Sequence, residues 1–298
     1  MTATFRRYQP YKDSSKVSQF LERTCPSTDR NPNWLRARWE YMVYSVQEGV
    51  EENLAPVGIW ESRGEMVAMV NLEHALGEAY LQVHSAYTCL KAEMLSYAET
   101  ALCKTEGGKK RLTLYVNEFD GEWEALADAA GYVKGVDAPQ VTARFDMAVG
   151  SLAYALPKGF KLTDRLKSDD LRRINRVLWR GFNHEGPPPE KYVAGRANVA
   201  KAPLFRKDLV VMVEAPDGNF VSYCGVWYEA ATQVAYVEPV ATDPDYRRRG
   251  LGKAVVLEAI QRAKQLGATR AIVISGLEFY RAIGFQPVFV CYPWHKEW

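Results

Sequence analysis

The stretch DPDYRRRGLGKAVV, Asp243 to Val256, packs three arginines and two glycines immediately before an apolar pattern of helical spacing. Val256, Ala259, Ile260 and Ala263 continue that spacing until Gly267 stops it. A helix amino terminus presents backbone N–H groups without intrahelical acceptors, and its dipole favours negative charge. Gly250 and Gly252 let the backbone approach a bulky diphosphate without a Cβ in the way, and Arg247, Arg248, Arg249 and Lys253 offer charge-assisted contacts. The stretch therefore reads as a phosphate cradle. A P-loop is excluded because Ala254 follows Lys253, and a dinucleotide fingerprint because Val255 stands where a third glycine belongs.

The elements around the cradle form an ordered series. LVVMVEA, the turn PDGN (Pro216 to Asn219) and FVSYCGVWYE read as a β-hairpin, and QVAYV (Gln233 to Val237) as a third strand leading into the cradle. After the helix come a strand, RAIVI, a short helix near Glu278 to Ile283, and a last strand in GFQPVFVCY. Upstream, SDDLRRINRVLWRGF carries Leu171, Ile174, Val177 and Leu178 on one helical face. The first half repeats this order in worn form: PVGIWE, SRGE and MVAMVNLEH as a hairpin, AYLQV as the third strand, LKAEMLSYAETAL as the helix and RLTLYV as the next strand. LADAAGYV also ends as YRAIGFQP does, a helix end running through glycine into an aromatic residue. The pattern is a duplication of two units, residues 1–150 and 151–298, meeting near Gly150 to Pro157.

Arg247-x-x-Gly250-x-Gly252 resembles the pyrophosphate-binding signature of the GNAT superfamily of acyl-coenzyme A transferases. Two further elements in family order strengthen the resemblance: VATDPDYR before the cradle and EFYRAIGF after it. The resemblance implies an α/β fold of mixed, mostly antiparallel sheet flanked by helices, present as two tandem GNAT-like units with a degenerate amino-terminal copy. It implies acetyl-coenzyme A as co-substrate and no metal, with the pantetheine arm along a fourth strand that splays from the fifth. The expected contacts are Val240, Ala241 and Thr242 on that strand, Arg247, Arg248, Arg249, Gly250, Leu251, Gly252, Lys253 and Ala254 at the cradle, and Ser275 where the family often carries an asparagine. Pro239, which cannot donate to a ladder, marks a break in the same strand.

Acyl transfer to an amine needs a proton acceptor for the amine, donors for the oxyanion and a proton for the departing thiolate. Tyr280, four residues before Gly284 as the family's acid tyrosine is, is the expected acid. Glu238 is the expected base, sharing strand parity with Tyr236, Val240 and Thr242, with His184 as the second choice. Trp179, Phe182, Tyr223, Trp227 and Tyr236 are candidates for an aromatic acceptor pocket, and GPPPEKY for a stiff loop at its mouth. The first half has HSAYTCLKAEML where the cradle should be, so no coenzyme is expected there.

Bulk properties bound the partners. With 38 basic and 36 acidic residues, net charge +2, the chain lacks the basic excess of a nucleic-acid or membrane-surface protein. Five widely spaced cysteines form no disulfide framework, and MTATFRRYQPYKDSSK has no signal-peptide core, so the expected location is the cytoplasm. The expected activity is N-acyl transfer to the primary amine of a small-molecule or peptide acceptor; the alternative is a coenzyme A binding or sensing module without turnover.

Overall fold

The computed structural model describes residues 2–10, 12–26, 28, 30–45 and 54–298. Strands of the first half are β1 (Thr4–Arg7), β2 (Gly58–Ser62), β3 (Glu65–Asn71), β4 (Glu78–Val83), β5 (Lys104–Glu106), β6 (Lys109–Asn117), β7 (Val133–Lys134) and β8 (Gln140–Asp146). Its helices are α1 (Ser14–Thr24), α2 (Arg36–Ser45), α3 (Lys91–Ala101) and α4 (Gly121–Ala129). The second half contributes β9 (Lys161–Asp164), β10 (Val210–Glu214), β11 (Phe220–Glu229), β12 (Val234–Thr242), β13 (Arg270–Ile274) and β14 (Gln286–Glu297). Its helices are α5 (Leu171–Gly181), α6 (Lys191–Val199), α7 (Leu251–Gln265) and α8 (Glu278–Ala282).

The strands join in one sheet of order β1-β2-β3-β4-β6-β14-β8-β13-β12-β11-β10-β9, with β5 on β6 and β7 on β14. The order is nearly palindromic about the β14–β8 pair. Each half keeps five strands on its own side of this order and gives its last strand to the other: β8 pairs with β13, and β14 pairs with β6. Packing follows the exchange. Ala143 and Phe145 of β8 lie in the second-half core with Val237, Val255, Val273 and Phe285, while Trp294 of β14 lies in the first-half core with Leu114 and Met94.

The hairpins, third strands and long helices fall where periodicity puts them, because alternating burial and a 3.6-residue stripe are legible in a single chain. The structure adds α1, α2, α6 and β8, and extends the third strand of the second half through Thr242.

Candidate active site

β12 pairs with β13 in parallel only at Val234–Tyr236 against Arg270–Ile272. Beyond Tyr236 the two strands separate, while β12 stays paired to β11 through Thr242. Asp243 N donates to Val221 O, so alternation gives Ala241 to β11 and turns the N–H and C=O groups of Val240 and Thr242 toward a wedge in the sheet, where an extended amide chain can add itself as a strand would.

The register of β11 against β12 shifts between Cys224 and Val226, where three residue steps on β12 match two on β11. Glu238 and Pro239, joined by a cis peptide bond, stand opposite the single residue Gly225, so β12 carries one surplus residue. A Cβ on Gly225 would come within 2.7 Å of the Glu238 carbonyl oxygen, so the bulge requires glycine there. This bulge corrects the expected parity. Tyr236 faces α2 and α6 with Val234, Trp227 and Val199, whereas Val240 packs on the α7 face with Val237 and Val255. Tyr236 and Val240 therefore point to opposite sides of the strand, because the surplus residue resets the alternation.

Glu238 lies on the Tyr236 side, in a cavity lined by Tyr41, Arg165, Arg196, Phe205, Tyr223 and Trp227 among others. Two of the expected pocket aromatics, Tyr223 and Trp227, meet the proposed base here, and Trp227 Nε1 donates to the Glu238 carbonyl at 2.9 Å. The Glu238 carboxylate makes no hydrogen bond or ion pair with the described residues. Burial pushes its pKa up to about 7, the charge of Glu73 adds to the rise, and Arg38 opposes it. Arg38 sits on α2 and is clamped by Glu73 through Nε–Oε1 at 2.8 Å and Nη2–Oε2 at 2.6 Å. These first-half residues tune the second-half carboxylate, a long-range coupling that local sequence patterns do not show.

Tyr280 is on the other face, buried in the α7 core with its ring tilted against Phe279 and Phe285. Its hydroxyl has no hydrogen-bond partner among the described residues. Burial, with Cys224 and Glu238 nearby, holds its pKa well above the usual phenol value, so it keeps its proton at neutral pH. Acid and base candidates thus flank the wedge from opposite faces.

At the far end of β12 the chain turns through Asp243, a fully buried carboxylate. Arg180 of α5 grips it through Nε–Oδ2 at 2.6 Å and Nη2–Oδ1 at 2.9 Å, and Arg176 reaches it at 3.4 Å. Arg247 donates to the carbonyls of Thr242 and Gly181 and to Asn183 Oδ1 at 3.1, 2.9 and 2.7 Å, so its guanidinium braces the loop from within. Sequence reasoning missed this brace and the Asp243 anchor, although an acid just before an arginine run signals a charge partner.

Arg248 (φ 61°) and Gly250 (φ 78°) are both left-handed, which turns successive N–H groups toward one concavity at the start of α7. A Cβ on Gly250 would find only the Ala155 carbonyl oxygen within 4 Å, at 3.8 Å, so the space in front of the turn is open. Leu251, Gly252 and Lys253 occupy the first turn of α7, whose N–H groups lack helical acceptors, and Ala254 N begins the ladder by donating to Gly250 O at 3.0 Å. Arg248 and Lys253 are exposed and without partners among the described residues, while Arg249 lies over the Tyr246 ring at 5.2 Å. This arrangement fits a diphosphate.

Other candidates stand apart. Ser275, at the end of β13, accepts from Leu277 N at 3.3 Å and thereby shapes the turn before α8. His184 is exposed and stacked on Trp179 at 4.2 Å, and neither lines the Glu238 cavity; Phe182 is exposed. GPPPEKY leads into α6, whose Arg196 and Val199 line that cavity. In the first half, the buried Lys91 pairs with Asp120 and Glu122 at the start of α3.

Residues 171–285 match the model of the Acetyltransferase (GNAT) family. The chain is 36% identical over 120 residues, 39% of its length, to glucosamine 6-phosphate N-acetyltransferase of Trypanosoma brucei brucei, and spans 65% of that protein. It is also similar in fold to a GCN5-related N-acetyltransferase from Sphaerobacter thermophilus, with TM-score 0.65, 15% identity and 99% and 95% of the two chains covered. A tandem GNAT protein from the clavulanic acid biosynthesis pathway superposes with TM-score 0.65 at 14% identity, over 99% of this chain and 98% of that one. No helix among the described residues is long and apolar enough to cross a membrane.

Proposed function

A GNAT-family domain occupies residues 171–285, and from this premise we propose that the chain transfers an acetyl group from acetyl-coenzyme A to a primary amine, in the second half alone. The observation that carries the reading is the wedge between β12 and β13, which runs from the Glu238–Pro239 bulge to the left-handed turn at Gly250. The unpaired edge of β12 holds the pantetheine amides, and the Arg248 to Lys253 turn holds the diphosphate. The acceptor amine comes from the α2 face, where Glu238 takes its proton directly or through one water. Backbone N–H groups bordering the wedge receive the oxyanion. When the tetrahedral adduct collapses, the C–S bond breaks and the Tyr280 hydroxyl protonates the departing thiolate.

Release of free thiol from acetyl-coenzyme A, measured across primary amines with glucosamine 6-phosphate among them, tests the proposal. Amine-dependent release is expected. Tight coenzyme binding with no amine-dependent release from any acceptor would instead support a sensing module.

A further inference from the structure

On the same face of the sheet as Glu238, a second and larger cleft opens where the two halves meet. Its walls come from both: Trp34, Arg38, Tyr80 and Tyr115 from the first half, Arg270, Ile272 and Phe289 from the second. Tyr80 and Tyr115 stack face to face at 4.7 Å, and Arg38 lies 4.1 Å above the Trp34 ring, giving flat, stiff walls.

The polar groups in this cleft are unbalanced. No aspartate or glutamate is among the lining residues that the structure describes. Arg38 is already neutralised by Glu73, but Arg270 forms no ion pair with any described residue; its single recorded bond is Nη2 to the Pro26 carbonyl at 3.3 Å. Trp34 is 6% exposed, and its buried Nε1–H has no acceptor among the described residues. Among the described residues, an unspent cation and an orphaned donor with no carboxylate beside them lack an anion, since such groups are costly to leave unpaired.

The cleft connects to the proposed base through α2, whose Arg38 lines it while Tyr41, one turn on, lines the Glu238 cavity. Arg270 is registered opposite Val234, four residues before Glu238 on β12. At about 3.3 Å per residue this is on the order of 13 Å along the strand, shortened by the reach of the two side chains.

We infer that this cleft is the acceptor pocket, and that it takes a small amine carrying an anionic group, phosphate or carboxylate, several bonds from the reactive nitrogen, with Arg270 and Trp34 Nε1 binding the anion. The inference rests on the proposed acetyl transfer for the amine's role. It gives the first half, which lacks a cradle of its own, the task of building one wall of the pocket.

Two matched pairs of probes test it: glucosamine 6-phosphate against glucosamine for phosphate, and Nα-acetyl-lysine against its amide for carboxylate. Binding is followed by melting temperature and tryptophan fluorescence without acetyl-coenzyme A, and calorimetry with acetyl-coenzyme A alone is run in parallel. At least one anionic member should bind about tenfold or more tightly than its neutral twin, and Arg270→Gln should erase that preference while Arg270→Lys retains part of it. The pair that discriminates identifies the anion. Equal binding within both pairs, no binding of either anionic member, or a preference that survives Arg270→Gln would overturn the inference. Failure of acetyl-coenzyme A to bind while an anionic probe still does would remove the catalytic reading and leave the anion pocket standing.

Discussion

Replacing Glu238 by glutamine separates a catalytic carboxylate from a structural one, because the two roles move activity and stability in opposite directions. The side chain is largely buried, has no hydrogen-bond partner among the described residues, and has its pKa pushed up to about 7 from the ordinary 4.5. Between those values the folded chain retains a proton that the unfolded chain has released, so stability falls as pH rises through the window from 4.5 to about 7. At about 1.4 kcal/mol per pH unit the ionised form costs at most about 3 kcal/mol, and residual solvent access reduces this to about 1 to 2 kcal/mol. Glutamine cannot ionise and escapes the cost. Above pH 7, Glu238→Gln should therefore melt roughly 2 to 4 °C higher than the parent, and at pH 4 the two should melt together. Turnover should move the other way. A base must be deprotonated to act, so kcat/KM of the parent should fall about tenfold for each pH unit below 7. Glu238→Gln should lose about 10²-fold to 10⁴-fold at pH 8 together with that acid limb. The assay is thiol release from acetyl-coenzyme A between pH 5.5 and 9, with melting curves on the same preparations. A variant that keeps both its rate and an acid limb near 7 would refute the assignment, and one that melts lower at pH 8 would refute the account of the pKa.

Removing the charge of Glu73 with Glu73→Gln withdraws a group that raises the Glu238 pKa and frees Arg38, which lowers it, so the acid limb of kcat/KM should shift to lower pH; an upward shift would contradict this. Gly250→Glu adds a side chain and a negative charge at a left-handed turn with open space in front of it, and calorimetry should show coenzyme A binding lost from an otherwise folded chain. Tyr280→Phe keeps the ring packing and removes a hydroxyl that bonds nothing among the described residues, so its melting temperature should hold while turnover falls by roughly 10²-fold; unchanged turnover would clear Tyr280 of the acid role. Residues 151–298 expressed alone lack β8 and leave β13 and β14 without their shared partner, so they should aggregate or elute as oligomers, whereas a monomeric folded fragment would count against a shared core.

What the sequence made legible, and what it hid, follows from the range of the interactions. The hairpin from Val210 to Glu229, the long helix from Leu251 and the cradle between strand and helix depend on residues within a few positions of one another, and their spacing carries the signal. Pro239 marked a break in β12, but not that the break would reset the alternation, because that depends on the surplus residue facing Gly225 on another strand. Helix α2 went unread for a related reason. RARWEYMVYS has no apolar stripe, since Arg38 and Glu40 are as buried as Trp39 and Met42, each held by a distant partner: Glu73 for Arg38, the Leu204 N–H for Glu40.

The strand exchange was hidden most completely, and it matters most to function. QVTARFD and VFVCYPWHKE alternate as any half-buried strand does, and alternation states which face is buried but not which sheet receives the strand. Had β8 and β14 paired within their own halves, each half would close on an edge, and the junction would be an ordinary surface contact. Exchanged, they lie side by side at the centre of the sheet, with Val290 opposite Val141 and Cys291 opposite Gln140. Gln140 then accepts from Arg38, while Phe289 and Cys291 line the same cleft as Trp34 and Tyr115. The residues that set the charge beside Glu238 are thus held by backbone ladders running through both halves. The second half therefore completes neither its core, which takes Ala143 and Phe145 from β8, nor the wall of this cleft without the first.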